Sequence, residues 1–280
     1  MTAVENELNE LSGSQWLYWT NTIYETNYAP DVTHKLRKLH GAMKPPELMA
    51  DIIRFFSKQG ELILDPFAGV GGTLLGARMV NRKAIGIELN PKWVAIYQTI
   101  LKNYTIIDGK FVPAIDAKGS DCYLGNLIQG DCLEVMKGLE AESIAAIITD
   151  PPYGCHHQVK GFKTETNFNM FNEIDCRDFG NQEDYQQFFT KIKQFGAEAF
   201  RILQQKRYLI LLIGDRFYQG EYFPLGYKVA EVLQEVGFKW KGIRIWWNKA
   251  TQRPLRPYAI NRCFIPNITH QNIIIMRKEG

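Results

Sequence analysis

The sequence of 280 residues has little that marks a secreted or membrane protein. No stretch approaches the roughly 20 apolar residues of a membrane helix, and the first ten residues carry three glutamates rather than the positive charge of a secretory signal. The five cysteines form no C-x-x-C pair, which favours reduced thiols over a disulfide framework. We therefore expect a cytoplasmic protein with no membrane association and no structural disulfide.

Acidic residues are scarce in the last third of the chain. Residues 191 to 280 contain 16 Lys and Arg against 6 Asp and Glu, whereas residues 1 to 190 contain 17 against 24. Between Val236 and Lys278 there are nine basic residues and no acidic one, interleaved with tryptophan and tyrosine. This composition suits a polyanion built of stackable bases. The alternative is a solvated face around core tryptophans, and it stays open for Trp246 and Trp247.

Short apolar runs alternate with helical patterns, which is typical of an α/β protein. The predicted strands are 61–64, 84–88, 126–129, 144–149, 208–213, 243–247 and 273–276. The predicted helices are 73–80, 91–103, one from 133 onward, 182–203 and 228–236. The right-handed crossover rule then predicts a doubly wound, Rossmann-like sheet that is mostly parallel and ends in an antiparallel strand pair. Segments 1–43, 154–181 and 249–269 do not fit this pattern, and long connections of that kind are usually functional or mobile.

A glycine-rich turn, D-P-F-A-G-V-G-G-T at residues 65–73, follows the first predicted strand. It departs from the dinucleotide pattern G-x-G-x-x-G, because the last position counted from Gly69 is Leu74, and no lysine follows as in a P-loop. Acidic residues stand at three strand ends, namely Asp65, Glu88 and Asp131. A carboxylate after the second strand suits ribose hydroxyls, and one after the first would suit an amine.

The tetrad Asp150-Pro151-Pro152-Tyr153 ends the fourth predicted strand. With the glycine turn and the strand-end acids, it resembles the amino-methyltransferases of DNA, which use S-adenosyl-L-methionine. The resemblance implies methyl transfer to N6 of adenine in duplex DNA by base flipping, in a bacterium, an archaeon or a phage. It implies that the tetrad is catalytic, and that the cofactor is bound by Lys44, Asp65, Phe67, Gly69, Gly71, Glu88, Asp131 and Cys132.

The chemistry of the tetrad has a physical basis. An exocyclic amine is a poor nucleophile because its lone pair is delocalised into the ring, so hydrogen-bond acceptors on its N–H groups are needed to favour a pyramidal nitrogen. Asp150 supplies a carboxylate, the Pro151 carbonyl offers a second acceptor, and two prolines stiffen the turn. Tyr153 offers a ring for stacking on a flipped base. The reaction requires no metal, and Cys155, His156, His157 and Cys176 are not expected to bind one.

The resemblance covers about residues 40 to 278 and includes segments around Lys44, Trp247 and His270. The glycine turn precedes the tetrad, which reverses the commonest order in close relatives, and we expect no large separate target-recognition domain. We predict a single domain over 1–280 with DNA-contacting loops at about 154–181 and 249–269. The predicted DNA contacts are Lys160, Lys163, Lys249, Arg253, Arg256, Tyr258 and Arg262. The expected partner is double-stranded DNA, with a cognate restriction endonuclease or a second subunit as further candidates.

Three alternatives stay open. N4 of cytosine is the next target after N6 of adenine. An RNA guanine-N2 methyltransferase is the second alternative, since Gly154 completes a D-P-P-Y-G pentad that also resembles that group. The third is a non-catalytic protein that binds cofactor or nucleic acid, which the intact acids and tetrad argue against.

Overall fold

The structure, a computed structural model, describes residues 6–116, 125–154, 175–250 and 262–279. The strands within these residues are β1 (Ile23–Thr26), β2 (Leu62–Asp65), β3 (Lys83–Glu88), β4 (Tyr104–Ile107), β5 (Lys110–Pro113), β6 (Asn126–Gln129), β7 (Ile144–Thr149), β8 (Leu203–Ile213), β9 (Arg216–Tyr218), β10 (Glu221–Phe223), β11 (Lys239–Asn248) and β12 (Gln271–Arg277). The α-helices are α1 (Gly13–Trp19), α2 (His34–Arg37), α3 (Pro46–Phe56), α4 (Gly72–Met79), α5 (Pro91–Asn103), α6 (Cys132–Lys137), α7 (Tyr185–Ile202) and α8 (Leu225–Val236).

Eight of these strands form one sheet in the order β1, β11, β12, β8, β7, β2, β3, β6. The five strands from β8 to β6 are parallel to one another, and β12 is antiparallel to both β8 and β11. The predicted fold class, a mostly parallel α/β sheet with an antiparallel closing pair, is confirmed. The chain runs outward from β2 to β6 and then returns to β7 on the other side of β2. The topological switch point therefore lies between β2 and β7.

The sheet is covered on both faces, as the apolar runs predict. Helices α3, α4 and α5 pack on the face that carries Ile63, Ile148 and Ile210. Helices α6, α7 and α8 pack on the opposite face, which carries Leu64 and Ile147. Every residue of β7 is buried, because this strand lies at the centre of the sheet between two helical layers. Among the described residues, no helix is long and apolar enough to cross a membrane.

The amino-terminal segment contains regular structure where the sequence pattern predicts none. Strand β1 pairs in parallel with β11, with Ile23 opposite Ile245, and forms one edge of the sheet. This pairing also separates the two adjacent tryptophans of β11. Trp246 is 5% exposed and donates from Nε1 to Oγ1 of Thr26 at 2.8 Å, whereas Trp247 is 44% exposed. The structure therefore places Trp246 in the core and Trp247 at the surface.

Candidate active site

The carboxyl ends of β2, β3, β6 and β7 border one cavity at the switch point of the sheet. The cavity has a volume of about 860 Å³ including the part open to solvent, and a concave site at this position of the sheet is typical of small-molecule binding. The predicted site residues in its wall are Phe67, Gly69, Glu88, Asp131, Cys132, Asp150, Pro151, Pro152 and Tyr153. Five of the eight cofactor candidates thus share one chamber with the tetrad, whereas Lys44, Asp65 and Gly71 do not line it.

The glycine turn joins β2 to α4 by a backbone path that other residues cannot follow. Gly71 has a φ of +80°, and a Cβ at this position would lie 2.2 Å from the ring of Tyr97 on α5. Gly69 contributes its backbone to the cavity wall, and its N–H donates to Oε2 of Glu88 at 2.9 Å. The turn therefore packs tightly against α5 and presents main chain to the cavity.

Glu88 ends β3 and faces the cavity. Its Oε1 accepts from the backbone N–H of Asn90 at 2.7 Å, and Oε2 accepts from Gly69. Burial raises the pKa of Glu88 to about 7, although these two backbone donors oppose the rise. Each oxygen keeps a lone pair, so the carboxylate can accept from a pair of hydroxyl groups such as those of a ribose.

Asp131 and Cys132 lie at the start of α6, shortly after the end of β6. Oδ1 of Asp131 caps the helix by accepting from the N–H of Leu133 at 2.9 Å, and Oδ2 is left for a donor in the cavity. Cys132 is 6% exposed, and burial raises the pKa of its thiol. It therefore contributes a neutral, apolar side chain to the cavity wall. Phe67 packs edge-on against Phe179, with ring centroids 4.9 Å apart.

Asp65 differs from the other strand-end acids, because it does not line the cavity. Its carboxylate accepts from the hydroxyls of Thr73 and Thr149 and from the N–H of Phe67 at 3.1 Å. The residue is 3% exposed, and burial raises its pKa to about 6. These three donors tie the ends of β2 and β7 to α4. In this structure Asp65 therefore braces the glycine turn from behind.

Asp150 follows β7 and has a partner on each carboxylate oxygen. Lys44 contacts Oδ2 as an ion pair, and the hydroxyl of Tyr153 donates to Oδ1 at 3.1 Å. Burial raises the pKa of Asp150, and both partners oppose that rise. Lys44 is a predicted cofactor residue, but its ammonium lies on Asp150 and it is not part of the cavity wall. The carboxylate itself faces the cavity as an acceptor.

Residues from the second half of the sheet hold Tyr153 and the chain that follows it. Gln271, the first residue of β12, donates from Nε2 to the Tyr153 hydroxyl. Arg216 donates from Nη1 to the carbonyl of Gly154 at 2.7 Å. Gly154 has a φ of +67°, and a Cβ there would lie 2.6 Å from the ring of Phe188. Gln271 and Arg216 lie in segments that the family resemblance includes, but the resemblance assigns them no role, because only the sheet order brings them to the tetrad.

Two nitrogens in the cavity wall have no hydrogen-bond partner among the residues that the structure describes. They are Nδ1 of His40 and Nε1 of Trp93, both buried, with the rings edge to face at 4.8 Å between centroids. Burial lowers the pKa of His40 to about 4, so the imidazole is neutral near pH 7. Buried polar atoms without partners carry a free-energy penalty that a polar ligand relieves. Together with the acceptors Glu88 and Asp131, they make the chamber fit a nucleoside cofactor.

Only part of the predicted DNA surface can be located. Lys249 and Arg262 are exposed, whereas Lys160, Lys163, Arg253, Arg256 and Tyr258 lie outside the described residues. Lys249 contacts Glu25 as an ion pair and lies 5.0 Å from the ring of Trp247. Because β11 runs in the same direction as β8, this carboxyl end lies at the same sheet edge as Asp150. Within the described part of the chain, no group of three or more metal-binding side chains occurs.

The doubly wound sheet, the glycine turn after β2, Glu88 after β3 and the D-P-P-Y tetrad after β7 together form a site of the kind expected for an S-adenosyl-L-methionine-dependent methyltransferase. A family model for N6/N4 methyltransferases, described as DNA methylase, matches residues 3–99. About a third of the chain is thus similar to DNA methylases of the N6/N4 family, and the cofactor of such a protein is S-adenosyl-L-methionine.

Curated relatives have two kinds of name. The tRNA (guanine(10)-N2)-dimethyltransferase of Methanocaldococcus jannaschii is 30% identical over 130 residues, which is 46% of this chain and 34% of that protein. The type II methyltransferase M.HindIII of Haemophilus influenzae is 37% identical over 83 residues, 29% of this chain and 27% of its own. The matched segments thus span about a third or less of these relatives.

Among solved structures, that of TrmN from Thermus thermophilus is similar to this protein with a TM-score of 0.48 and 14% identity. The superposition covers 86% of this chain and 52% of the TrmN chain.

Proposed function

We propose that this protein transfers a methyl group from S-adenosyl-L-methionine to N6 of adenine in duplex DNA. The observation that carries the proposal is the position of Asp150. This carboxylate faces the same chamber as Glu88 and Asp131, the acceptors suited to the ribose and the adenine amine of the cofactor. An N–H acceptor next to a methyl-donor site is the requirement for methylating an amine.

When bound, the cofactor supplies a methyl group that is electrophilic because it is attached to a sulfonium. The residues of the chain act on the acceptor amine. Asp150 and the carbonyl of Pro151 accept from the two N–H groups, which favours a pyramidal nitrogen with its lone pair directed away from the ring. Tyr153 and Gln271 keep the carboxylate in place. Pro151 and Pro152 restrict the turn, so the acceptors are ordered before the substrate binds.

Access to the amine requires the target base to leave the duplex, because Asp150 lies within a cavity and not on a flat surface. Unstacking costs a few kcal/mol, which stacking on aromatic residues and contacts to the base edge offset. Trp247 and Lys249, exposed at the same sheet edge, suit contact with the surrounding strand. DNA is favoured as substrate because the family model is that of a DNA methylase.

N4 of cytosine is the alternative target within DNA, since its amine has the same geometry. The guanine N2 amine of RNA is a second candidate, because the longer of the two alignments described above is with a tRNA enzyme. A paired restriction endonuclease, or a second subunit that supplies target recognition, stays a prediction.

The deciding experiment is mass spectrometry of nucleosides from DNA and RNA of cells that express the protein, with Asp150→Ala as the matched control. We expect N6-methyladenine in DNA only with the unaltered protein. N4-methylcytosine instead would move the target to cytosine, and N2-methylguanine in tRNA would move the substrate to RNA. Unmodified nucleic acid in both samples, with retained cofactor binding, would favour the non-catalytic alternative.

A further inference from the structure

Lys44 is buried between two parts of the site. The cofactor half contains the glycine turn, Glu88 and Asp131, and the base half contains the D-P-P-Y tetrad. The side chain of Lys44 reaches Asp150 across 106 residues of sequence, and the residue is 9% exposed. The side chain of Asp150 is 21% exposed and borders the cavity, whereas Lys44 does not. The ammonium therefore contacts the carboxylate from the protein side, and the opposite side of Asp150 is left to the substrate.

The partners of Asp150 fix the plane of its carboxylate. Lys44 contacts Oδ2 and Tyr153 donates to Oδ1, so rotation about the Cβ–Cγ bond would weaken both contacts. An ionised carboxylate has about four acceptor positions. Each oxygen therefore keeps a lone pair for the N–H of a target amine while its existing partner stays in place.

The main chain of Lys44 is also held on both sides. Its carbonyl accepts from Nη1 of Arg37 at 3.0 Å, and Arg37 is 1% exposed and ion-paired with Asp31. Gly72, the first residue of α4, packs against the same carbonyl so closely that a Cβ there would lie 2.9 Å from it. The backbone of Lys44 thus touches the glycine turn of the cofactor half, and its ammonium touches the carboxylate of the base half.

Lys44 supplies the positive charge that stabilises the ionised form of Asp150. Among the described groups that face this carboxylate, Tyr153 contributes a neutral hydroxyl and Asp65 a second buried carboxyl. His40 is close enough for the charge of Lys44 to lower its pKa further, and it is neutral near pH 7. Lys44 is therefore the cation that offsets the burial of Asp150.

We propose that Lys44 is a positioning residue for methyl transfer, which keeps Asp150 ionised and correctly oriented and links that orientation to the glycine turn of the cofactor site. The proposal rests on the proposed function in one respect, that Asp150 is the acceptor for the target amine. It differs from the role that the family resemblance implies for Lys44, which is direct binding of the cofactor.

The kinetic test compares Lys44→Met with Lys44→Arg, in steady-state assays between pH 5.5 and 9. We expect Lys44→Met to lower kcat by about 10²-fold through misplacement of Asp150, and to move the acidic limb of the pH profile up by about one pH unit or more. Lys44→Arg keeps the positive charge, so it should restore the position of that limb. The KM for the cofactor should stay within about threefold in both variants.

Two kinetic results would overturn the proposal. A raised KM for the cofactor, with kcat and pH profile unchanged, would make Lys44 a cofactor ligand. Equal losses in the Met and Arg variants, without a shift of the acidic limb, would reduce Lys44 to a packing role.

A second measurement does not depend on turnover. Thermal unfolding of the wild type, Lys44→Met, Asp150→Asn and the double variant is followed from pH 5 to 8. Lys44→Met should lower Tm more at pH 8 than at pH 5, because the unpaired carboxylate is protonated at low pH, and Asp150→Asn should abolish this pH dependence. Absence of such coupling overturns the role of Lys44, even in an active enzyme. If the effects of the two substitutions on Tm are coupled but the protein methylates no nucleic acid, the ion pair is established and the proposed function is wrong.

Discussion

The two halves of the site are built in different ways. In the cofactor half, the decisive hydrogen bonds span short distances in sequence, 19 residues from Gly69 to Glu88 and two from Leu133 to Asp131. In the base half, Lys44 and Asp150 are 106 residues apart, and Gln271 and Tyr153 are 118 apart. The cofactor half depends on successive βα units, whereas the base half requires the complete sheet. Substitutions in the two halves should therefore have separable effects.

The largest effect on the cofactor half is expected from Gly71→Ala. The added Cβ meets the Tyr97 ring at a positive φ, so unfolding free energy should fall by about 2–4 kcal/mol. Affinity for S-adenosylhomocysteine, measured by calorimetry, should fall with it because the turn must shift. Gly60→Ala is the matched control, since Gly60 has a φ of +77° but nothing within 4 Å of a Cβ. If urea denaturation shows equal losses of unfolding free energy in Gly71→Ala and Gly60→Ala, the role of the Tyr97 contact is contradicted.

Gly154→Ala tests the base half in the same way. A Cβ would lie 2.6 Å from Phe188, and the residues just before Gly154 are the tetrad, so turnover should fall by about 10²-fold. Affinity for S-adenosylhomocysteine should change little, because Glu88 and Asp131 are untouched. Gly220→Ala, with a φ of +87° in open space, serves as control for backbone strain. A loss of cofactor affinity equal to the loss of turnover would show that the halves are not separable.

Gln271→Leu should have a smaller effect, a decrease in kcat of about three- to tenfold, because the tyrosine hydroxyl loses a donor but keeps Asp150. Cofactor affinity should not change. In a Tyr153→Phe background, the same substitution should have no further effect on kcat, since Gln271 acts through that hydroxyl. Additive losses in this double-mutant comparison would show a separate role for Gln271.

The smallest effect expected is a pH dependence in the cofactor half. Burial raises the pKa of Glu88 to about 7, and hydroxyl donors of the cofactor favour the ionised form. Affinity for S-adenosylhomocysteine should therefore rise between pH 6 and 8, by up to about tenfold. In the free protein, unfolding free energy should fall as pH rises from about 4.5 to about 7, because the folded state holds the proton more tightly. In Glu88→Gln, calorimetry should no longer show this rise in affinity with pH, and denaturation should no longer show this fall in unfolding free energy. If both pH dependences are unchanged in the variant, they arise from another group.

The same contrast explains what could be predicted from the sequence. Strands β6 and β7 and helix α5 match the predicted bounds, because buried apolar runs and the Asn90-Pro91 helix start are local signals. Glu88 and Asp131 reach the cavity because the carboxyl ends of parallel strands meet at one edge. Strand β1, with the sequence I-Y-E-T, carries no such signal, and it is stabilised by its pairing with β11.

Two residues show why the rest of the site could not be predicted. The orientation of Asp65 is set by hydroxyls that include that of Thr149, 84 residues further along the chain. Gln271 contacts the tetrad because the start of β12 lies beside the end of β8, which follows from the sheet order alone. Long-range geometry of this kind leaves no periodic or compositional trace in a single sequence.

Arg207 has a consequence for the order of the motifs. Its guanidinium donates to the carbonyl of Leu8 at 3.3 Å, and its own carbonyl accepts from the N–H of Lys278 at 3.0 Å. Leu8 and Lys278 thus both contact Arg207, the first through its side chain and the second through its backbone. A short linker between Leu8 and Lys278 would close this part of the polypeptide into a ring, and the ring could be reopened at the turn Asp108-Gly109 between β4 and β5, outside the eight-stranded sheet. In such a rearranged chain the tetrad would precede the glycine turn in sequence, and we expect the cavity between them to be retained.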